Sequence, residues 1–346
     1  TECKRQFYGA TYLLDQIGDK LGIVDDLKAS FPDRYKQLLS LAYFFVLEEG
    51  MSAYRLRKWA LTHKHSYGRD IPSQRISNLM GSIDEASKMN FFRRQAKRRA
   101  EKEYLAFDTT SISSYSELIK LAKYGKNKEG DHLPQVNLAL LYGEVSRLPV
   151  YFRKLTGNTA DVSLIRNLML DIDFLDMKKL SFVMGRGFYS EKNINDLMKR
   201  HHKFLIGIRC GLKIARKHLD EIRGEKMISW ENYHDDVGLY AMSFTDEWDY
   251  REEQPRTGKC ICDKRRVYVY IYFNDQRCTD ERLSFARYLT CLQDELKSGR
   301  KTDGHMKDYD KYFIVTETPN PTSKSRWMRR ACTRSTRCRH CWMTWI

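Results

Sequence analysis

Asp108 leads the residues able to do chemistry. It stands inside Tyr104-Leu-Ala-Phe-Asp-Thr-Thr-Ser-Ile-Ser-Ser-Tyr-Ser116. Tyr104, Leu105 and Phe107 are apolar and β-preferring, and hydroxyl residues follow. That pattern predicts a buried strand with a carboxylate near its middle. An ionised carboxylate there is costly unless something cationic meets it. A turn cap or an ordinary Arg pair would answer the same pattern. A second group is basic: Arg93, Arg94, Lys97, Arg98 and Arg99 crowd one side of a stretch whose other side carries Phe91 and Phe92. Such a face can lie along a phosphate backbone or simply be solvated. A third group lies at the end of the chain. Cys332, Cys338, His340 and Cys341 invite a zinc reading, but the second Cys pair at the usual distance is missing.

The elements that must position these groups change character along the chain. Residues 1–102 read as a small helical domain. Ala10–Leu21 and Asp33–Glu48 carry apolar residues at three- and four-residue spacing, and Ser52–Trp59, Ser73–Met80 and Asp84–Glu103 are further helices. From Tyr104 strands dominate. Gln135–Tyr142 and Leu148–Leu155 follow the Asp108 strand, then a helix from Asp161 to Ile172, a strand at Leu180–Met184, a helix capped by Ser190, and a strand at Lys203–Arg209. Antiparallel strands, helix, strand, helix, strand is the plan of an α/β, ribonuclease-H-like catalytic core. Residues 103–209 would form its first part and 210–305 a β-rich insertion with one helix, Asp280–Lys297. Residues 306–319 would hold the return strand.

The composition fits a polyanionic partner. The 346 residues carry 61 Lys+Arg against 45 Asp+Glu, a net charge of +16. Part of this excess is local, because residues 320–346 hold seven Lys+Arg and no Asp or Glu. No apolar run is long enough to span a bilayer, and no charged-then-apolar leader opens the chain, so neither membrane nor secretion is expected. Nine scattered Cys fit reduced thiols in a cytosolic setting.

Several segments together resemble a known family. Tyr104–Ser116, Tyr124-Gly-Lys-Asn-Lys128, Leu133-Pro-Gln-Val-Asn137, Leu155-Thr-Gly-Asn158 and Val183–Ser190 follow one another as they do in DDE transposases of bacterial insertion sequences, closest to the IS-four-like group. The opening Gly9-Ala-Thr-Tyr-Leu-Leu-Asp15 resembles the same group. The resemblance implies binding to element ends and metal-dependent DNA cleavage and strand transfer. It implies three carboxylates holding two Mg²⁺ (or Mn²⁺) ions. It further implies DNA as partner, both terminal inverted repeats and target. A homodimer on paired ends and a bacterial cytoplasmic, nucleoid-associated setting are implied as well. Asp108 matches the first metal ligand. Arg186 would contact DNA or the acidic site. Lys123, Lys126 and Lys128 would meet phosphates, or form a solvated loop.

Two departures from the family pattern predict an inactive copy. Where the family has Asp-Arg-Gly, this chain has Gly185-Arg186-Gly187, so the second metal ligand is lost. The third carboxylate should follow the strand at 311–317, but the composition changes abruptly after Pro319. Trp and Met each have one codon, so Trp342-Met-Thr-Trp345 read in a neighbouring frame gives Asp-Asp before Leu, Met or Val. Residues 320–346 therefore read as a frameshifted tail rather than a zinc site. The alternative function is a non-catalytic DNA-binding remnant that could inhibit an intact transposase. A further alternative is a remnant that does not fold.

Overall fold

The computed structural model describes residues 5–99, 103–125, 132–223, 226–253, 260–316, 326–329 and 342–346. Contacts divide the chain into two units, Thr1–Leu205 and Ile206–Ile346.

The first unit opens with six helices: α1 (Gly9–Lys20), α2 (Ile23–Ser30), α3 (Tyr35–Leu47), α4 (Leu56–Thr62), α5 (Ser73–Gly81) and α6 (Glu85–Arg99). Leu39, Leu41 and Phe44 of α3 pack with Leu56 and Trp59 of α4, with Ile71, and with Ile76 and Leu79 of α5. Helix α2 was not foreseen in the sequence. It is short, and it starts straight after Gly22, whose left-handed backbone (φ 71°) lets the chain turn out of α1. Its Asp26 is buried and accepts hydrogen bonds from Gln95 (2.6 Å) and from Arg98 Nε and Nη2 (2.8 and 2.9 Å). These bonds fasten α2 to α6. Earlier in α6, Phe92 meets Tyr151 and Phe152 edge to face at 5.1 Å, which seats the helix on the sheet.

The sheet of this unit is an antiparallel meander followed by a crossover. Strands β1 (Tyr104–Ser113), β2 (Gln135–Gly143) and β3 (Pro149–Thr156) pair in sequence. Helix α7 (Asp161–Phe174) returns the chain so that β4 (Ser181–Met184) runs parallel to β1, with Phe107 opposite Met184. Helix α8 (Glu191–Lys199) then leads to β5 (Lys203–Ile208). The order β3-β2-β1-β4-β5 is the ribonuclease-H-like plan that the sequence predicts.

In the second unit, α9 (Lys213–Ile222) and the short β6 (Tyr233–His234) precede a long hairpin of β7 (Leu239–Glu253) and β8 (Cys260–Phe273). Helix α10 (Asp275–Ser298) and α11 (Met306–Tyr312) share a small core of Leu292, Leu296, Tyr309 and Phe313. Strand β9 (Phe313–Thr316) pairs with β10 (Arg326–Arg329). Strand β11 (Trp342–Trp345) lies between two others, Thr344 opposite both Ile271 of β8 and Ile208 of β5. Thr344 and Ile346 are buried. The end of the segment expected to be a foreign tail is thus part of a sheet. Trp, Thr and Met alternate on an extended chain as readily as a native strand would. No helix among the described residues is long and apolar enough to cross a membrane.

Candidate active site

Alternation along β1 decides where Asp108 points. Leu105, Phe107, Thr109 and Ser111 are buried, whereas Asp108 and Thr110 are exposed. The sequence predicts a carboxylate inside a buried strand. The structure places it instead on the open face, because a period of two puts residue 108 opposite its apolar neighbours. Exposure removes the desolvation penalty that would otherwise demand a paired cation.

Gly185 comes to the same place from β4. The parallel pairing aligns Phe107 with Met184, so Asp108 and Gly185 are the next residues on adjacent strands. Gly185 keeps an extended backbone (φ −71°, ψ 171°), so alternation continues through it and assigns it to the face of Val183, the face that Asp108 shares. A methyl group placed on Gly185 would meet no atom within 4 Å. The position has room for a carboxylate and lacks one.

The next residues turn away from the face. Arg186 starts a single turn of 3₁₀ helix and is exposed. Phe188 is fully buried, its ring 4.9 Å from that of Phe107, so it belongs to the core. Tyr189 is half-buried, and burial followed by the charge of Glu191 pushes its phenol up. Ser190 caps α8 as expected, its Oγ accepting from the Asn193 amide at 3.1 Å. Gly187 is dictated by a neighbour: a Cβ there would lie 2.7 Å from Asp161 Oδ2. The other oxygen of Asp161 accepts from Thr109 Oγ1 at 2.7 Å. Asp161 therefore ties the start of α7 to β1 on the face opposite Asp108.

The segments that carry the family likeness converge beyond the end of β1. Lys123 and Gln135 exchange backbone hydrogen bonds at 3.0 Å. Gln135 and Asn137 both donate to the Gly157 carbonyl, at 3.0 and 3.2 Å. A side chain on Gly157 would collide with the carbonyls of Gln135 and Lys123. Sequence reading used these residues as markers but missed this latch. The clue was polar Gln and Asn inside an alternating apolar strand. The latch places Lys123, which is exposed, near the end of β1. Lys126 and Lys128 lie outside the described residues, as do Cys332, Cys338, His340 and Cys341.

The basic face of α6 is divided. Arg98 is bound to Asp26. Arg93 donates to the Phe174 carbonyl at 2.9 Å and lies over the Phe174 ring at 5.2 Å. Arg99 is buried and donates to the Leu21 carbonyl at 2.9 Å. Arg94 and Lys97 are exposed. Packing between helices thus occupies much of the charge that the sequence offers to phosphates.

A divalent metal pair needs several oxygen ligands. Asp108 supplies one carboxylate, position 185 supplies none, and no Asp or Glu occurs after Glu317. No group of three or more His, Cys, Asp or Glu side chains suited to a metal exists among the described residues. Among the described residues the donor set does not fit a two-metal centre.

Residues 99–330, well over half of the chain, match the sequence model described as Transposase DDE domain. The chain belongs to this family. Two solved transposase structures are also similar. One is the piggyBac transposase synaptic complex with hairpin DNA, at 14% identity and a TM-score of 0.32, over 72% of this chain and 51% of that one. The other is the Mos1 transposase paired-end complex with left transposon end, at 12% identity and a TM-score of 0.23, over 50% of this chain and 59% of that one. This DDE domain chain therefore spans about half the length of the piggyBac chain. No curated protein matches it.

Proposed function

We propose that this chain derives from the transposase of a bacterial insertion sequence, that it binds the DNA ends of its element, and that it does not cut them. The reading rests on Asp108 beside Gly185: a strand-borne carboxylate on an open face, facing an empty position where the family pattern has Asp. Intact members of the family would hold Mg²⁺ or Mn²⁺ at this face. Here one carboxylate remains, so the chain acts as a binding protein. Its positive charge of +16 supports a nucleic-acid partner. Arg94, Lys97 and Lys123, with Lys126 and Lys128, would meet phosphates, and Arg186 would face DNA at the site. Occupied ends would be denied to an intact copy. Pairing of two ends by a homodimer, and residence on the bacterial nucleoid, follow from the same reading.

The test combines binding and cleavage on DNA carrying the element's ends. Binding should weaken steeply with salt, and no strand should be nicked in Mg²⁺ or Mn²⁺ above a protein-free control. Metal-dependent nicking that Asp108→Asn abolishes would overturn the proposal.

A further inference from the structure

Helix α5 carries an unusual exposed surface. Ile76 and Leu79 anchor it in the helical core, while Gln74, Arg75, Ser77 and Asn78 are exposed. Gln74 Nε2 donates to Asn78 Oδ1 at 3.1 Å, one turn away on the same face. Among the described residues this leaves the Gln74 carbonyl oxygen and the Asn78 amide nitrogen without a partner. Arg75 Nη1 reaches Tyr67 Oη at 3.4 Å, a weak contact that a stronger acceptor can replace. The helix is held by its buried side and offers hydrogen-bonding groups on the other.

Its surroundings are basic. Residues 51–80 hold six Lys+Arg and a single acid, Asp70, which pairs with Arg57 at 3.0 Å. Arg55, Arg57 and Lys58 line an open depression with Tyr54 and Leu61 at the start of α4. By contrast, Arg93, Arg98 and Arg99 of α6 are taken up by internal bonds.

We infer that α5 enters the major groove of duplex DNA and reads base edges through Gln74, Arg75 and Asn78, while Arg55 and Lys58 hold the flanking phosphates. The side-chain chemistry fits this partner. Arg pairs with the O6 and N7 of guanine, and Gln or Asn with the N6 and N7 of adenine. The groove of B-form DNA admits a helix, whereas the deep, narrow major groove of A-form RNA does not. The inference rests on the DNA-binding reading above and deepens it: sequence choice is assigned to α5, and the α6 cations are left a structural role and at most backbone contact.

The test is selection from a pool of random-sequence duplexes by the full chain, followed by anisotropy titrations. The wild type should enrich a defined motif. A Gln74→Ala, Asn78→Ala double variant and Arg75→Lys should each lose about tenfold or more in preference for that motif. Their binding to unselected duplex should change less than about twofold, which also shows that they fold. Lys58→Ala should weaken all duplexes alike and reduce the salt slope by about 1. If the α5 variants keep the wild-type motif, or if the wild type binds DNA without enriching any motif, the assignment of α5 is overturned while DNA binding stands. Preference for an RNA duplex of the same sequence also overturns it. If the wild type binds no duplex at all, the DNA-binding reading fails too.

Discussion

At the scale of single residues, the Gly185-Arg186-Gly187 turn holds two glycines with opposite reasons. Gly185 faces space, so nothing in the packing requires it. At Gly187 a Cβ would come within 2.7 Å of Asp161 Oδ2, the oxygen beside the one that Thr109 holds. Gly187→Ala should therefore push the Asp161 carboxylate off Thr109 and destabilise the chain by about 1 kcal/mol. Gly185→Ala should change stability by less than about 0.5 kcal/mol. Urea unfolding of the two variants checks the contrast, and equal losses would show that the turn is not held as described. Thr109→Val removes the hydroxyl that Asp161 accepts from and should cost about 1 kcal/mol. Asp108 was legible in the sequence because a carboxylate interrupts an apolar run. Its exposure was not, since the run hides which face is buried until a partner strand fixes it.

At the scale of elements, helix contacts rest on a few polar anchors. Asp26 is nearly inaccessible, and three hydrogen bonds reach it from α6. Asp26→Ala would leave buried Gln95 without its acceptor and release Arg98 to solvent, at a cost of about 1–3 kcal/mol. Loss of far-UV helical signal at lower urea concentration would report it. In the second unit Glu295 of α10 accepts from Tyr309 of α11, from His305 (3.0 Å) and from Thr302 (3.1 Å). These bonds, Tyr309 foremost, hold its carboxyl down to about 2. A depressed carboxyl contributes stability that is present above its ordinary pKa of 4.5 and is lost as pH falls through about 2. Glu295→Gln should flatten the stability profile across that window and leave its shape near neutrality unchanged. An unchanged acid limb would mean that the latch contributes nothing.

The strands that sequence reading recovered show why others escaped. Val267–Phe273 is apolar enough to stand out, and it is the end of β8. Its partner β7 escaped because acids and basic residues interrupt it, although Tyr240, Met242, Phe244, Trp248 and Tyr250 keep a period of two. Helix α5 was legible as a helix. Its outward polar set became meaningful only once Ile76 and Leu79 were seen to face the core.

At the scale of the whole molecule, the strand order β3-β2-β1-β4-β5 is kept with glycine at position 185. Neither that order nor the latch of Gln135, Asn137 and Gly157 needs a side chain at 185. The C-terminal strand β11 extends the point. It pairs with β8 and with Gly207 and Ile208, the end of β5 that belongs to the second unit. Stopping the chain after residue 341 should expose the edge of β8 and lower the melting temperature by at least about 5 °C. An unchanged melt would show that β11 does not hold the unit together. The altered composition after Pro319 was legible in the sequence. That its last residues would serve as a strand was not, because pairing depends on edges supplied by β5 and β8.

On the proposed function, the face holding Asp108 lacks a metal ligand at position 185, where a side chain has room. The most direct measurement is a Mn²⁺ titration of the wild type, Gly185→Asp, and Gly185→Asp with Asp108→Asn, followed by water proton relaxation. Gly185→Asp should gain a Mn²⁺ site at least about tenfold tighter than any in the wild type, since two adjacent carboxylates then face one ion. Adding Asp108→Asn should remove that site. Wild-type binding as tight as that of Gly185→Asp, or a new site indifferent to Asp108, would contradict this reading.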